Sequence, residues 1–141
     1  MRVRINELSI GDWVQVTGCS GYGLSRPMQV AGLTPEFVVL SDEVYRVSQT
    51  QGVPLTAAIL EKNGFKRCQP EPEVCRQPYY ELTDTIAERT AVVIEDDCHG
   101  MKSYWWATQH GEQIIPVVRL RHVHQLQHLQ RIEGMRKEVR P

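Results

Sequence analysis

Three aromatic residues stand together at Tyr104, Trp105 and Trp106 in a chain of 141 residues that is only 7% aromatic. In a strand, side chains alternate, so Tyr104 and Trp106 face one way and Trp105 the other. An element that covers one face leaves at least one large ring on the opposite face. That ring is hidden by the core, by a second subunit or partner, or by a ligand stacked on it. Toward a phosphate-bearing ligand, arginine supplies a planar fork of donors that a ring lacks. Arg46, Arg119 and Arg121 are the candidates, and Arg119 and Arg121 precede or open a helix whose free N–H groups favour an anion. The candidate ligand-binding set is therefore Tyr104, Trp105, Trp106, Arg46, Arg119 and Arg121, with a nucleotide-like small molecule as the ligand class.

The metal and nucleophile readings are thinner. Cys68, Cys75, Cys98 and His99 are the right types for zinc, but their spacing is wider than that of zinc knuckles, and ordinary free thiols are the competing reading. His124 and His128 share a helix face at i,i+4, yet Gln125 and Leu126 stand where a zinc protease needs Glu, so a solvated polar face competes there. Cys19 lies in a glycine-rich loop, Gly18 to Gly23, and a thiol there needs an adjacent base to become a nucleophile. That loop lacks the Gly-Lys-Ser/Thr ending of a phosphate loop. Glu95, Asp96 and Asp97 lack the alternating ligands of a calcium loop and read as a solvated acidic loop. No nucleophile, base and orienting group line up by spacing, so no catalytic residue, metal ligand or cofactor is expected.

Composition narrows the classes further. Sixteen Lys+Arg against 17 Asp+Glu give a net charge of -1, without a global field for nucleic acid or an anionic membrane. Nucleic-acid binding is disfavoured. Residues 119–141 are a local exception, with six Lys or Arg against two Glu. The 41% hydrophobic and 23% charged content fits one globular domain over residues 1–141. No stretch approaches the roughly 20 apolar residues of a membrane helix. No export signal follows Met1, so reduced cysteines and a cytoplasmic protein are expected.

The elements that position these residues follow from periodicity and turn chemistry. Trp13 to Val16, Met28 to Leu33, Phe37 to Leu40 and Val44 to Val47 read as short strands, and residues 1–52 as a small β-barrel-like sheet. Residues 53–65 hold a helix with Thr56 as N-cap, closed by Gly64 and Phe65. Three prolines mark residues 66–78 as an irregular exposed connection. Residues 79–118 form a second antiparallel sheet, with a long hairpin loop over Asp96 to Lys102. In Ile114-Ile115-Pro116-Val117-Val118, Pro116 confines the run to an edge strand, a strand end or the lead into a helix. Residues 119–133 form a C-terminal helix over that sheet, followed by a frayed basic tail. The fold class is α+β.

The motifs Leu8-Ser9-Ile10-Gly11-Asp12-Trp13-Val14, Val53-Pro54-Leu55-Thr56 through Asn63-Gly64-Phe65, and His122-Val123-His124-Gln125-Leu126-Gln127-His128-Leu129 together span most of the chain. In that order they resemble a family of short uncharacterised proteins encoded by phages and mobile elements of anaerobic gut bacteria. The resemblance implies a small α+β protein acting in a bacterial host. Non-enzymatic binding of a host protein or of a second copy is the leading expectation. A sponge for a nucleotide-like host immune signal is the alternative, and a small-molecule hydrolase comes third.

Overall fold

The computed structural model describes residues 7–17 and 23–141, so Cys19 and most of its loop lie outside the described residues. The chain forms two compact units. One takes residues up to Pro54 with His122–His124 and Pro141, the other Leu55–Arg121 with Gln125–Arg140.

In the first unit, β1 (Trp13–Val16), β2 (Met28–Leu33), β3 (Phe37–Leu40), β4 (Glu43–Arg46) and β5 (Thr50–Gly52) form an antiparallel sheet in the order β4-β3-β2-β1-β5. Alternation sets its faces: β1 buries Val14 and Val16, and the neighbouring strands add Val30, Val38 and Leu40 to the same core. Ser41 and Asp42, with φ of 48° and 66°, make the two-residue turn between β3 and β4. The expected small β-barrel is not present. β4 and β5 are the two opposite edges of the sheet, so it is open, whereas closure needs its outer strands to pair. The three-residue β5 returns beside β1 instead.

The same unit fixes the start of the C-terminal helix. Val123 N–H donates to the Val53 carbonyl at 2.8 Å, and Pro54 bridges to His122. Gly52 lies so close to the His122 ring that an added Cβ would overlap its carbons. The His122 and His124 rings stack with centroids 5.5 Å apart, and His124 is buried rather than on a solvated face.

The second unit opens with α1 (Ala57–Lys62), capped by Thr56, whose hydroxyl accepts from Ile59 N–H at 3.2 Å. Gly64 at φ 88° lets Phe65 N–H reach the Leu60 carbonyl at 3.1 Å and places the Phe65 ring in the interior. β6 (Lys66–Cys68), β7 (Tyr79–Asp84), β8 (Arg89–Cys98), β9 (Met101–His110) and β10 (Gln113–Leu120) then form an antiparallel meander in chain order.

Four boundaries differ from the sequence reading, each for a physical reason. The β8–β9 connection is a two-residue turn, because His99 and Gly100 both adopt positive φ, 55° and 80°, and the acidic residues before them join the ladder. Residues 69–78 are not a free connection: the Val74 carbonyl accepts from Ile114 N–H at 2.9 Å, and Cys75 packs against Tyr79, Val92, Ile94 and Ala107. Arg119 and Leu120 continue β10, and the helix α2 (Val123–Ile132) starts four residues later than position 119. The basic tail is held, not frayed. Gln130 accepts from Val139 N–H, Asn63 bonds reciprocally with Arg140, and Arg131 makes a bidentate pair with Glu138 at 2.7 Å.

Candidate functional site

The register of the second sheet sorts the predicted site residues. Tyr80, Val93, Trp106 and Val118 form one cross-strand row, and Glu95, Tyr104 and Leu120 the next, all on one face. On the opposite face runs the row Cys68, Tyr79, Ile94, Trp105 and Arg119. Tyr104 and Trp106 are buried, so neither offers a free ring face for stacking. Trp105 stays half-buried, its indole N–H donating to Ser103 Oγ at 3.3 Å. The structure thus brings Trp105 beside exposed Arg119, with exposed Arg121 two residues beyond. Arg46 belongs to the first unit, where its guanidinium lies 5.9 Å from the Phe37 ring centroid.

One charged cluster was not visible in the sequence. Glu95 is 4% exposed inside β8, not part of a solvated acidic loop, because it shares the inward face of Ala91 and Val93. Tyr80 donates to its Oε2 at 3.1 Å, while Arg67 and Lys102 approach its Oε1 at 3.5 and 3.7 Å. Tyr80 meets the Tyr104 ring edge-on, with centroids 6.4 Å apart. Burial, then the Glu95 charge and hydrogen bond, pushes the Tyr80 phenol up to about 12. Burial and Glu95 also raise Tyr104, with the Ala57 amide at the start of α1 acting the other way. A buried carboxylate so supplied with partners is a satisfied anchor for β6 and β9.

The cysteines serve different surroundings. Cys75 is buried and Cys68 half-buried, and burial followed by the Glu81 charge pushes the Cys68 thiol up. Cys98 is exposed at the β8–β9 turn. Among the described residues, no group of three or more His, Cys, Asp or Glu side chains could hold a metal ion. Among them, too, no helix is long and apolar enough to cross a membrane.

The surface that stands out is β10, an outer strand eight residues long. Ile115, Val117 and Val118 on it are 40%, 55% and 41% exposed. The ladder with β9 shifts between Pro116 and Val118, a bulge at Val117. Pro116 allowed an edge strand, a strand end or the lead into a helix, and the structure makes it an outer strand; no sequence signal told that its apolar neighbours would remain uncovered. Compared with protein-family models, curated proteins and solved structures, the chain matches none.

Proposed function

We propose that this chain is a non-enzymatic protein-interaction module that binds a second copy of itself through β10. The observation that carries the reading is the exposed apolar run Ile115, Val117 and Val118 on the outer strand of the second sheet. The strand is also palindromic in character about Pro116. A two-fold axis there sets Ile115 against Val117 and brings Glu112 near the partner's Arg119 and Arg121. Pro116 has no N–H and Ile114 spends its own on Val74, so side-chain burial, more than ladder extension, drives the contact. The resemblance to phage and mobile-element proteins suggests a bacterial host cytoplasm as the setting.

Sedimentation over a concentration series tests this. The expected result is a monomer–dimer equilibrium that Val117→Lys weakens at least about 30-fold, roughly 2 kcal/mol. A chain that stays monomeric at 100-fold the working concentration, or binds only a host protein at β10, would overturn it.

A second reading, capture of a nucleotide-like signal, is favoured by one observation: Trp105 and Arg119 are direct cross-strand neighbours. Quenching of tryptophan emission by a cyclic dinucleotide, abolished by Arg119→Gln, would support it. Unchanged emission across a panel of such nucleotides would remove it.

A further inference from the structure

We propose that Asn63 is a self-modification site: when residues 138–140 lift away, the Gly64 backbone nitrogen displaces its side-chain amide, and the carboxylate left behind keeps the segment from docking again. Asn63 is followed by Gly64, which has no Cβ to crowd the approach of its nitrogen to the Asn63 side-chain carbonyl carbon. The fold blocks that approach. Asn63 Nδ2 donates to the Ile59 carbonyl at 2.7 Å and to the Arg140 carbonyl at 2.6 Å, while Oδ1 accepts from Arg140 N–H at 2.9 Å. Gly64 spends its own N–H on the Glu61 carbonyl at 3.1 Å. Both partners of the reaction are thus tied, and two of the three bonds on the Asn63 side chain come from Arg140.

Residues 138–140 lie outside any helix or strand and are fastened through side chains: Glu138 to Arg131 and Gln127, the Val139 amide to Gln130, and Arg140 to Asn63. Arg140 is itself exposed. A stretch held in this way opens locally before a helix or a sheet does. Opening leaves the Asn63 side chain with its bond to Ile59 alone. The Gly64 nitrogen then attacks Asn63 Cγ, an N–Cγ bond forms and the Cγ–Nδ2 bond breaks. The Gly64 amide proton passes by way of solvent to Nδ2, which leaves as ammonia. Water opens the succinimide at either carbonyl and yields aspartate or isoaspartate, so water is the only co-reactant and nothing is oxidised or reduced. A carboxylate has no N–H to donate, so neither the Ile59 nor the Arg140 carbonyl regains its bond, and a negative charge now faces both oxygens.

The test holds the full chain in mildly alkaline buffer and follows, by mass spectrometry of its peptides, conversion of Asn63 to aspartate and isoaspartate. Asn6, which is followed by Glu7, serves as the internal reference. Conversion at Asn63 should be slow in the wild-type chain and at least about fivefold faster in Arg140→Pro, which removes the N–H that reaches Oδ1. Glu138→Ala should act in the same direction. An unchanged far-UV circular dichroism spectrum shows that the fold is kept, and if Glu138→Ala unfolds, Arg140→Pro, at an exposed position, carries the comparison. In Asn63→Asp, the Val139 and Arg140 amides should exchange at least about tenfold faster while those of β8 keep their protection. Equal conversion in wild-type and Arg140→Pro chains, an Asn63 that stays intact in both, or amides at 139 and 140 as protected in Asn63→Asp as in the wild type would each overturn the proposal.

Discussion

The two outer strands of the second sheet are built on opposite principles. β6 is three residues long, carries Lys66 and Arg67, and has its arginine turned toward a buried carboxylate. β10 is eight residues long and presents three exposed aliphatic side chains with no charge before Arg119. Shortness and charge are the ordinary ways to stop a sheet from pairing with a neighbour. β6 uses both, while β10 has Pro116, a bulge and, at Ile114, the Val74 carbonyl. Protecting one margin and leaving the other apolar is what a sheet needs if it is to meet a partner on one side only.

The comparison breaks most sharply if β10 is given the character of β6. Ile115→Lys with Val117→Lys should weaken self-association at least about 100-fold, since each places an ammonium in the apolar contact. Monomer stability should change little, because both positions are exposed. Sedimentation separates the two effects from thermal unfolding of the dilute chain. A double variant that still dimerises would move the contact elsewhere.

The β6 margin should respond through its anchor. Tyr80→Phe removes the phenol that donates to buried Glu95 and should cost about 1–3 kcal/mol by urea unfolding, without affecting association. The wild-type chain should also show a matching alkaline limb. The Tyr80 phenol ionises near 10 when unfolded and is held up to about 12 in the fold. Its contribution is therefore complete below pH 10 and is lost as pH rises toward 12. Tyr80→Phe should flatten that limb. Tyr104 is raised in the same direction, so some slope remains.

Pro116 offers a smaller, sharpening change. Pro116→Thr would restore an N–H to the outer strand and lift the restraint on its ladder. Association should tighten by a few-fold and extend beyond dimers. Light scattering at fixed concentration reads this directly, and weaker association would show that Pro116 shapes the contact rather than limiting it.

How much of this was legible depends on how far each signal reaches along the chain. Short apolar runs between turn residues placed β1, β2, β3 and β4 to within a residue, and Thr56 with Gly64 and Phe65 delimited α1, because those signals are local. β5 and β6 carry no sequence signal, because three residues cannot show a period. Closure into a barrel depends on which strands become neighbours, and no local pattern carries that. In sequence Glu95 groups with the acids that follow it. Its face, shared with Ala91 and Val93, was the better guide. Gln127 and Gln130 sit on the buried side of α2 for a reason written further on: Glu138 and the Val139 amide are their partners. The tail's bond to Asn63 spans 77 positions, beyond any window of sequence. Of the candidate site, Trp105 and Arg119 were named for their chemistry, but their pairing required the register. The uncovered state of β10 required the whole sheet.

The smallest effect concerns Asp84, at the end of β7 on the same polar side of the sheet. Its Oδ1 accepts from the Ile86 and Ala87 amides, and Oδ2 accepts from Arg136 N–H at 3.0 Å. These bonds, Ala87 first and then the Arg136 amide, with the guanidinium adding to them, hold the Asp84 carboxyl down at about 2, against 3.8 for a free one. A lowered value means that the contribution is complete above about pH 4 and fades as pH falls toward 2. Asp84→Asn keeps an oxygen that can accept from the turn amides but gives up the charge that faces Arg136. The protection factor of the Arg136 amide against exchange should therefore fall modestly at neutral pH and lose its Asp84-linked change between pH 4 and 2. Association through β10 should stay as it was, since that margin owes nothing to these ion pairs. If the substitution altered dimerisation, the two margins would be coupled, and the division between a polar, anchored side and an apolar, contacting side would fail.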